Sequence, residues 1–89
     1  MTGTGETAAV VEAAWGRVRQ NLRLSAGQRL FDRWLKPMVL LPNSDADMVR
    51  LGLPSAFMTN WVKSHYADRL LFEFRACLPE IRTVTVETA

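Results

Sequence analysis

Few side chains in this 89-residue sequence have the type and spacing that catalysis or metal binding requires. The single histidine, His65, stands without a second histidine or a neighbouring cysteine, so it is interpreted as a helix-surface or half-buried residue and not as a metal ligand. Asp45 and Asp47 lie among turn residues, where solvated carboxylates are the simplest interpretation. No set of nucleophile, base and carboxylate can be identified in the sequence as a catalytic site. We therefore expect no catalytic residue, no metal ion and no enzymatic activity.

Glycine and cysteine usage gives no sign of a cofactor. The five glycines match neither the phosphate-binding loop of nucleotide-binding proteins nor the dinucleotide fingerprint, so no cofactor is expected. Cys77 has no partner for an internal disulfide, and it lies in an apolar stretch typical of a small core residue. The sequence shows neither a signal peptide nor an apolar run of membrane-spanning length, and a cytoplasmic location is expected by default.

Positive charge is concentrated in one part of the chain, although the formal net charge is only +2. Between residues 17 and 36 the only acid is Asp32, and the basic residues are Arg17, Arg19, Arg23, Arg29, Arg33 and Lys36. This basic cluster has the charge to contact an acidic protein or the phosphates of a nucleic acid. The favoured alternative is a solvated helix face, on which arginine stems cover apolar surface.

Apolar spacing predicts a first helix at residues 7–22. Val11, Trp15, Val18 and Leu22 recur at intervals of four and three residues, which places them on one face of a helix. Residues 1–6 are small and polar, so we expect a flexible tail there. The length of the chain suits one domain, which is assigned to residues 7–89.

A second helix and a hairpin are predicted next. Ser25 is the predicted N-cap of this helix, and Pro37 ends it, because the residue before a proline is displaced from the α region. The apolar run at residues 38–41 and the alternating run at residues 48–53 predict two strands. Turn residues lie between them (PNSD, residues 42–45), so the two strands are expected to form a hairpin.

Pro54 and Ser55 begin a long helix predicted to reach about Leu78, and the alternating residues 82–87 predict the last strand. Apolar positions of the long helix fall in two rows, so either it is covered on two sides or it kinks near residues 64–65. The order predicts an α+β fold (helix, helix, strand, strand, helix, strand) in which helices pack on a three-stranded sheet with its second and third strands parallel. This order is KH-like, but the Gly-x-x-Gly loop that holds nucleic acid in KH domains is absent, which argues against strong binding of that kind.

Three segments together resemble the DnaA N-terminal domain family. They are residues 30–37 (LFDRWLKP), residues 53–62 (LPSAFMTNWV) and residues 64–70 (SHYADRL). The resemblance extends from about residue 14 to residue 86. It implies a docking domain in the initiation of chromosome replication, since ATP hydrolysis and recognition of origin sequences belong to other domains of the family.

The resemblance also implies contact residues. In the family, a phenylalanine in the position of Phe57 contributes to docking of partners, including the replicative helicase, and we expect Asn60 and Lys63 to supply its polar rim. The alternative is that Phe57 staples the helix start to the core. Trp15 lies where the family often has a bulky apolar residue that supports weak self-association, and a core position suits Trp15 equally well.

One position departs from the family pattern. The family commonly has an acid just before the phenylalanine of the second helix, whereas this chain has Leu30 between Arg29 and Phe31. Leu30 belongs to the predicted partner surface, but contacts that need the acid are in doubt, and a change of partner is one interpretation. Trp34 is interpreted as a structural residue and Trp61 as a core residue.

The sequence leaves two questions open: whether the chain is part of a longer protein, and which of two classes of function it has. The chain is compatible with a piece of a longer initiator and with a free-standing relative that regulates initiation by competing for initiator partners. The expected partners are the replicative helicase or regulators of replication initiation, a second copy in a weak homodimer, and single-stranded DNA at most weakly, with no membrane. The competing class is a small module that binds single-stranded nucleic acid through the basic cluster.

Overall fold

The computed structural model describes residues 4–42, 44–45 and 47–89. The predicted order of elements and the α+β class are confirmed. The elements are helix α1 (Thr4–Ala26), a short helix α2 (Gln28–Leu30) continued by a π-helical turn (Phe31–Leu35), strands β1 (Val39–Leu40) and β2 (Met48–Leu53), helix α3 (Ala56–Cys77) and strand β3 (Thr83–Thr88). Asn43 of the predicted turn and residues 1–3 of the predicted tail lie outside the described residues.

Helix α1 extends beyond the predicted bounds at both ends. It begins at Thr4, so residues 4–6 have helical backbone although a tail is predicted there, and it ends at Ala26 instead of Leu22. The predicted apolar stripe is buried, with Val18 and Leu22 fully enclosed. The stripe therefore identifies the helix and its buried face. Apolar spacing does not predict where the helix begins and ends, because its ends are polar.

Gly27, and not Ser25, separates α1 from α2, so the predicted N-cap is wrong. Ser25 lies in the last turn of α1, where its Oγ donates to the carbonyl of Leu22 at 3.5 Å. Gly27 has φ +91° and ψ 153°, a backbone conformation that side chains with a Cβ rarely adopt. Its N–H donates to the carbonyl of Arg23 at 3.2 Å, and its own carbonyl accepts from the N–H of Phe31 at 3.0 Å.

The second predicted helix is largely a π-helical turn. The N–H of Lys36 donates to the carbonyl of Phe31 at 2.7 Å, which is the five-residue spacing of a π-helix. Phe31 and Leu35 are buried, while Trp34 stays half-buried at the surface. Pro37 follows the turn, in agreement with the predicted end of the helix.

The three strands form one sheet in the order β1-β2-β3. Strand β1 pairs antiparallel with β2, which confirms the predicted hairpin, although β1 is shorter than the predicted run at residues 38–41. Strand β2 pairs in parallel with β3, with Val49 opposite Val84 and Leu51 opposite Val86. Helix α3 provides the crossover that a parallel pair needs, so this prediction is also confirmed.

An ion pair joins the two parallel strands. Arg50 of β2 donates to Glu87 of β3 twice, from Nε to Oε2 at 2.6 Å and from Nη2 to Oε1 at 2.8 Å. These hydrogen bonds raise the pKa of Arg50 and lower the pKa of Glu87 from its usual 4.5, because they favour the charged form of each group. The backbone N–H groups of Asp47 and Met48 likewise lower the pKa of Asp45 in the turn before β2.

Helix α3 begins at the predicted cap and runs without interruption. The Oγ of Ser55 accepts from the N–H of Met58 at 3.2 Å, and the helix continues from Ala56 to Cys77. Covering on two sides therefore explains its two apolar rows: one row faces α1 and the sheet, and the π-helical turn partly covers the other. Among the described residues, no helix is both long and apolar enough to cross a membrane.

The core lies between α1, α3 and the sheet. Trp15 of α1 stacks on Phe74 of α3, with ring centroids 5.8 Å apart and ring planes at 4°. The buried carboxylate of Glu73 accepts from Nδ2 of Asn21 at 3.1 Å and from Nε of Arg69 at 2.9 Å. A buried charge needs such partners, so this network fastens α3 to α1.

Candidate docking surface

Four rings form a continuous row on the outer side of α3, here called the aromatic row. Phe57, Trp61 and His65 come from α3 at intervals of four residues, and Trp34 comes from the π-helical turn. Trp34 and Trp61 are stacked with centroids 4.2 Å apart, and Trp61 and His65 are stacked at 4.3 Å. The ring of Phe57 is tilted by 46° against Trp34 at 5.7 Å. Two elements that are distant in sequence thus build one surface.

Phe57 is the exposed end of the aromatic row. Its relative exposure is 72%, so the alternative in which Phe57 staples the helix start to the core does not describe this structure. The exposure follows from position, because Phe57 lies in the first turn of α3 on the side away from the sheet, next to the Ser55 cap. An exposed aromatic ring held at a capped helix start is available to the pocket of a partner.

Trp34 and Trp61 support this ring from the side. Both are half-buried, which modifies the prediction that Trp61 is a core residue. Nδ1 of His65 lies 2.8 Å from the carbonyl of Trp61, and because a carbonyl only accepts, Nδ1 is the donor. In the described part of the chain, no group of three or more histidine, cysteine, aspartate or glutamate side chains is placed to hold a metal ion.

The predicted rim residues lie on one flank of Phe57. Asn60 and Lys63 are both exposed on α3. At 100° per residue Asn60 is about 60° around the helix from Phe57, and Lys63 is about 120° away, so Asn60 neighbours Phe57 and Lys63 lies beyond it. Leu30 precedes the π-helical turn and is half-buried against the core, so only part of its side chain is open to a partner.

The basic cluster comes from the second half of α1, from α2, and from the π-helical turn with the residue that follows it. Arg19 is half-buried, and its guanidinium lies 5.7 Å from the Trp15 ring and 5.9 Å from the Phe31 ring. The guanidinium of Arg33 lies 5.4 Å from the Trp34 ring, which connects the cluster to the aromatic row. The remaining basic side chains are exposed: Arg17, Arg23, Arg29 and Lys36. Two of the six thus pack over aromatic rings, and all six except Arg19 are exposed to solvent.

A family model of the DnaA N-terminal domain matches residues 12–75, more than half of the chain. This chain belongs to the DnaA N-terminal domain family. The matched residues include the aromatic row and the whole basic cluster. The resemblance of the three sequence segments is therefore confirmed, and the candidate surface lies within the family domain.

Similar proteins are named chromosomal replication initiator protein DnaA. The protein from Sphingopyxis alaskensis is 39% identical over 75 residues, which are 83% of this chain and 17% of that protein. Those from a Rhodopseudomonas palustris strain and from Nitrobacter winogradskyi are 35% and 34% identical over 77 residues, each covering 84% of this chain and 16% of the relative. The chain spans about one sixth of the length of these relatives.

Trp15, the residue of this family domain predicted to support self-association, is only 8% exposed. Its stacking on Phe74 gives it the core position that was the alternative. The little surface that remains lines a groove of about 330 Å³ beside Gly16 and Leu40, between α1 and β1. Self-association through Trp15 stays a prediction, and among the described residues the surface left to Trp15 faces this groove.

The surface positions of two residues of the family domain, Trp34 and Phe72, were not predicted from the sequence. Trp34 was interpreted as structural alone, yet it supports Phe57, and the π-helical turn that presents it has no local sequence signature. Phe72, near the other end of α3, is 67% exposed. Its spacing was a usable signal, because fifteen residues are close to four helical turns and return Phe72 to the side of Phe57.

Proposed function

We propose that this domain docks the replicative helicase or a regulator of replication initiation through Phe57 and the aromatic row. The observation that carries the proposal is the 72% exposure of Phe57 beside the stacked rings of Trp34 and Trp61. Aromatic anchors that enter a pocket of the partner dominate many protein interfaces, and contiguous exposed apolar surface is typical of such sites. No enzymatic activity is proposed, and a cytoplasmic location fits this role.

Rigidity of the aromatic row favours its use as an anchor. The Trp34 ring is held by Trp61 and by the guanidinium of Arg33, and the start of α3 is held by the Ser55 cap. A side chain that is already ordered loses little conformational entropy on binding. The free domain therefore presents Phe57 in a geometry close to the one that a partner pocket receives.

The charge around the row points to an acidic partner surface. Arg33 touches the row directly, and Arg29 is exposed on the adjoining helix α2. Leu30 stands where the family commonly has an acid, so this chain adds no negative charge there. Positive charge at the edge of an interface mainly accelerates association with an acidic partner. We assign a pocket with acidic surroundings to the helicase or regulator.

Replacement of Phe57 tests the proposal. Phe57→Ala should weaken binding of purified replicative helicase or regulator by about 2 kcal/mol or more, which is a factor of roughly 30. Phe72→Ala is the matched control, because it removes a phenylalanine of similar exposure from the same helix. Binding is measured by calorimetric titration and the melting temperature by circular dichroism. Equal binding by wild type and Phe57→Ala would place the docking site elsewhere.

One observation favours a second candidate function, the binding of single-stranded DNA. Exposed aromatic rings beside arginine, as in Phe57, Trp34 and Arg33, are features that such sites use to stack bases and contact phosphates. Titration with a labelled oligothymidylate at two salt concentrations separates the two functions. Useful affinity at physiological salt with a steep salt dependence supports the DNA-binding function, and weak binding supports protein docking.

A further inference from the structure

A groove that shares no residue with the aromatic row runs along helix α1. One part of it, of about 330 Å³, lies between α1 and β1. A second part, of about 370 Å³, lies between α1 and Phe31 of the π-helical turn. Gly16 and Arg19 line both parts, so the two adjoin, and together they are here called the α1 groove.

Gly16 leaves the middle of the α1 groove open. It is exposed within α1, and a Cβ built on it would meet no atom within 4 Å. Every other residue type except proline would fill part of this space and suit the helix better than glycine does. A side chain of a bound ligand can therefore lie directly against the backbone of α1.

The part of the α1 groove beside β1 is apolar. Trp15 is only 8% exposed, so it forms a wall of the groove and is not an anchor. Apolar walls of this kind favour an aliphatic side chain in the ligand. The other apolar residues of the wall come from α1, from β1 and from the turn after β1: Val11, Leu40, Leu41 and Pro42.

The other part of the α1 groove is basic. Arg19 and Arg23 line it, and the guanidinium of Arg19 is held over the rings of Trp15 and Phe31. Glu12, the acid among the lining residues, lies at the opposite end of the groove. Carboxylates of a ligand are therefore attracted to the arginine end and repelled from the Glu12 end.

Strand β1 offers the α1 groove an open strand edge. The N–H of Leu41 donates to the carbonyl of Arg50 in β2 at 2.8 Å. Because pairing alternates along an antiparallel strand, the N–H and C=O of Leu40 point away from β2. Leu40 also lines the groove, so an extended segment lying there can form backbone hydrogen bonds with it, as in strand addition.

We propose that the α1 groove binds an extended acidic segment of a partner protein. An aliphatic residue of the segment lies over Gly16, its backbone pairs with Leu40, and its carboxylates contact Arg19 and Arg23. Glu12 and Arg23 are eleven residues apart. That separation is about 16 Å along a helix, which about five extended residues span.

A segment of this length binds weakly by itself, because the contact is much smaller than a stable interface. A partner that also occupies the aromatic row gains from the second contact, since the two then act at high effective concentration. The α1 groove goes beyond the docking function proposed above and does not require Phe57.

Two synthetic peptides test the α1 groove. They are acetyl-Gly-Ser-Leu-Ser-Asp-Asp-Asp-amide and the same residues in reverse order, because either strand direction can pair with Leu40. Each is titrated into the isotope-labelled 89-residue chain and followed by NMR. At least one peptide should shift the amide signals of Gly16 and Arg23 and the indole signal of Trp15. The indole signals of Trp34 and Trp61 should stay in place, and peptides with lysine instead of aspartate should not bind.

Gly16→Leu fills the groove from within. It should raise the Kd of the peptide at least about tenfold, because its side chain takes the place of the peptide leucine. Its melting temperature should not fall, since the new Cβ has room and leucine favours a helix. Ala13→Leu adds the same side chain at an exposed position of α1 outside the groove and should bind as the wild type does.

Arg23→Glu tests the basic end. It should raise the Kd of the peptide at least about threefold, because it replaces attraction by repulsion at an exposed site. Arg17→Glu makes the same change of charge on α1 outside the groove and should have a smaller effect.

Several results would overturn the proposal. They are the absence of groove shifts with both peptides, equal binding by Gly16→Leu and the wild type, and shifts confined to Trp34 and Trp61. Groove signals that move only with protein concentration would assign the groove to a second copy, and signals that move only with oligothymidylate would assign it to nucleic acid. Phe57→Ala should bind the peptide normally, so failure of helicase docking and failure of the α1 groove are distinguishable.

Discussion

Trp15 stacks on Phe74 inside the core, whereas Phe57 stands exposed beside Trp34. Both are large aromatic residues on helices, and both were candidates for contact with another protein. Their surroundings now separate them, because a side chain that is 8% exposed can offer a partner little surface. Substitution of Trp15 should act on stability, and substitution of Phe57 on binding.

Trp15→Ala should destabilise the domain by about 3–5 kcal/mol, because it removes a buried ring and leaves a cavity against Phe74. Urea unfolding followed by circular dichroism measures this loss. Trp15→Phe keeps a smaller ring at the site and should have an intermediate effect. Phe57→Ala is the surface control and should change stability by no more than about 0.5 kcal/mol. A Trp15→Ala variant with wild-type stability would show that the ring is not part of the core.

The junctions between helices determine which side chains reach the surface. Gly27 ends α1 and starts α2 within one residue, and the π-helical turn that follows sets the position of Trp34 against α3. A longer junction, or a regular α-helix at residues 31–35, would rotate Trp34 relative to Trp61. The aromatic row thus depends on backbone geometry as much as on the presence of its rings.

Two glycines on neighbouring elements should respond in opposite directions to alanine. Gly27→Ala should destabilise the domain by about 1–3 kcal/mol, because its positive φ is strained for any residue with a Cβ. Gly16→Ala should stabilise it by about 0.5–1 kcal/mol, since Gly16 lies within α1 and a Cβ there meets no atom within 4 Å. Thermal unfolding of both variants measures whether Gly27→Ala lowers the stability and Gly16→Ala raises it. Equal effects of the same sign would contradict the junction geometry described for Gly27.

The stability of the whole molecule should depend on pH through the pair of Arg50 and Glu87. Hydrogen bonds from Arg50 lower the pKa of Glu87 from 4.5 in the folded state. The stabilisation is therefore fully present above pH 4.5, where the carboxylate is charged in both states. It is lost as the pH falls below 4.5 and through the lower folded pKa, because the unfolded chain then binds the proton first.

Glu87→Gln isolates this contribution. The variant should be less stable than the wild type at pH 7, and the difference should shrink as the pH is lowered below 4.5. Urea midpoints across the acid range provide the measurement. Glu80→Gln removes a carboxylate from the exposed turn after α3 and serves as the control. A difference between wild type and Glu87→Gln that stays constant down to pH 3 would show that the ion pair does not set the acid stability.

Much of the fold follows from local sequence. Pro37 and the Pro54–Ser55 pair mark helix boundaries through backbone sterics and capping, and these act within a few residues. Alternation at residues 48–53 and 82–87 identifies strands for the same local reason. A helix between two strands favours their parallel pairing, so the order of the strands in the sheet could also be predicted from the sequence. The family segments at residues 30–37 and 53–62 pointed to Phe57 as a contact residue, and its exposure accords with that prediction.

Only the tertiary structure decided which aromatic rings are covered. Periodicity shows that residues share a helix face, but the partner that covers the face comes from elsewhere in the chain. Phe74 covers Trp15, and Trp34 covers part of Trp61, while nothing in the described residues covers Phe72 to the same degree. The π-helical turn and the role of Gly27 also depend on how α1 and α3 pack together. Burial depends on contacts between residues that are distant in sequence, and a local sequence pattern does not specify those contacts.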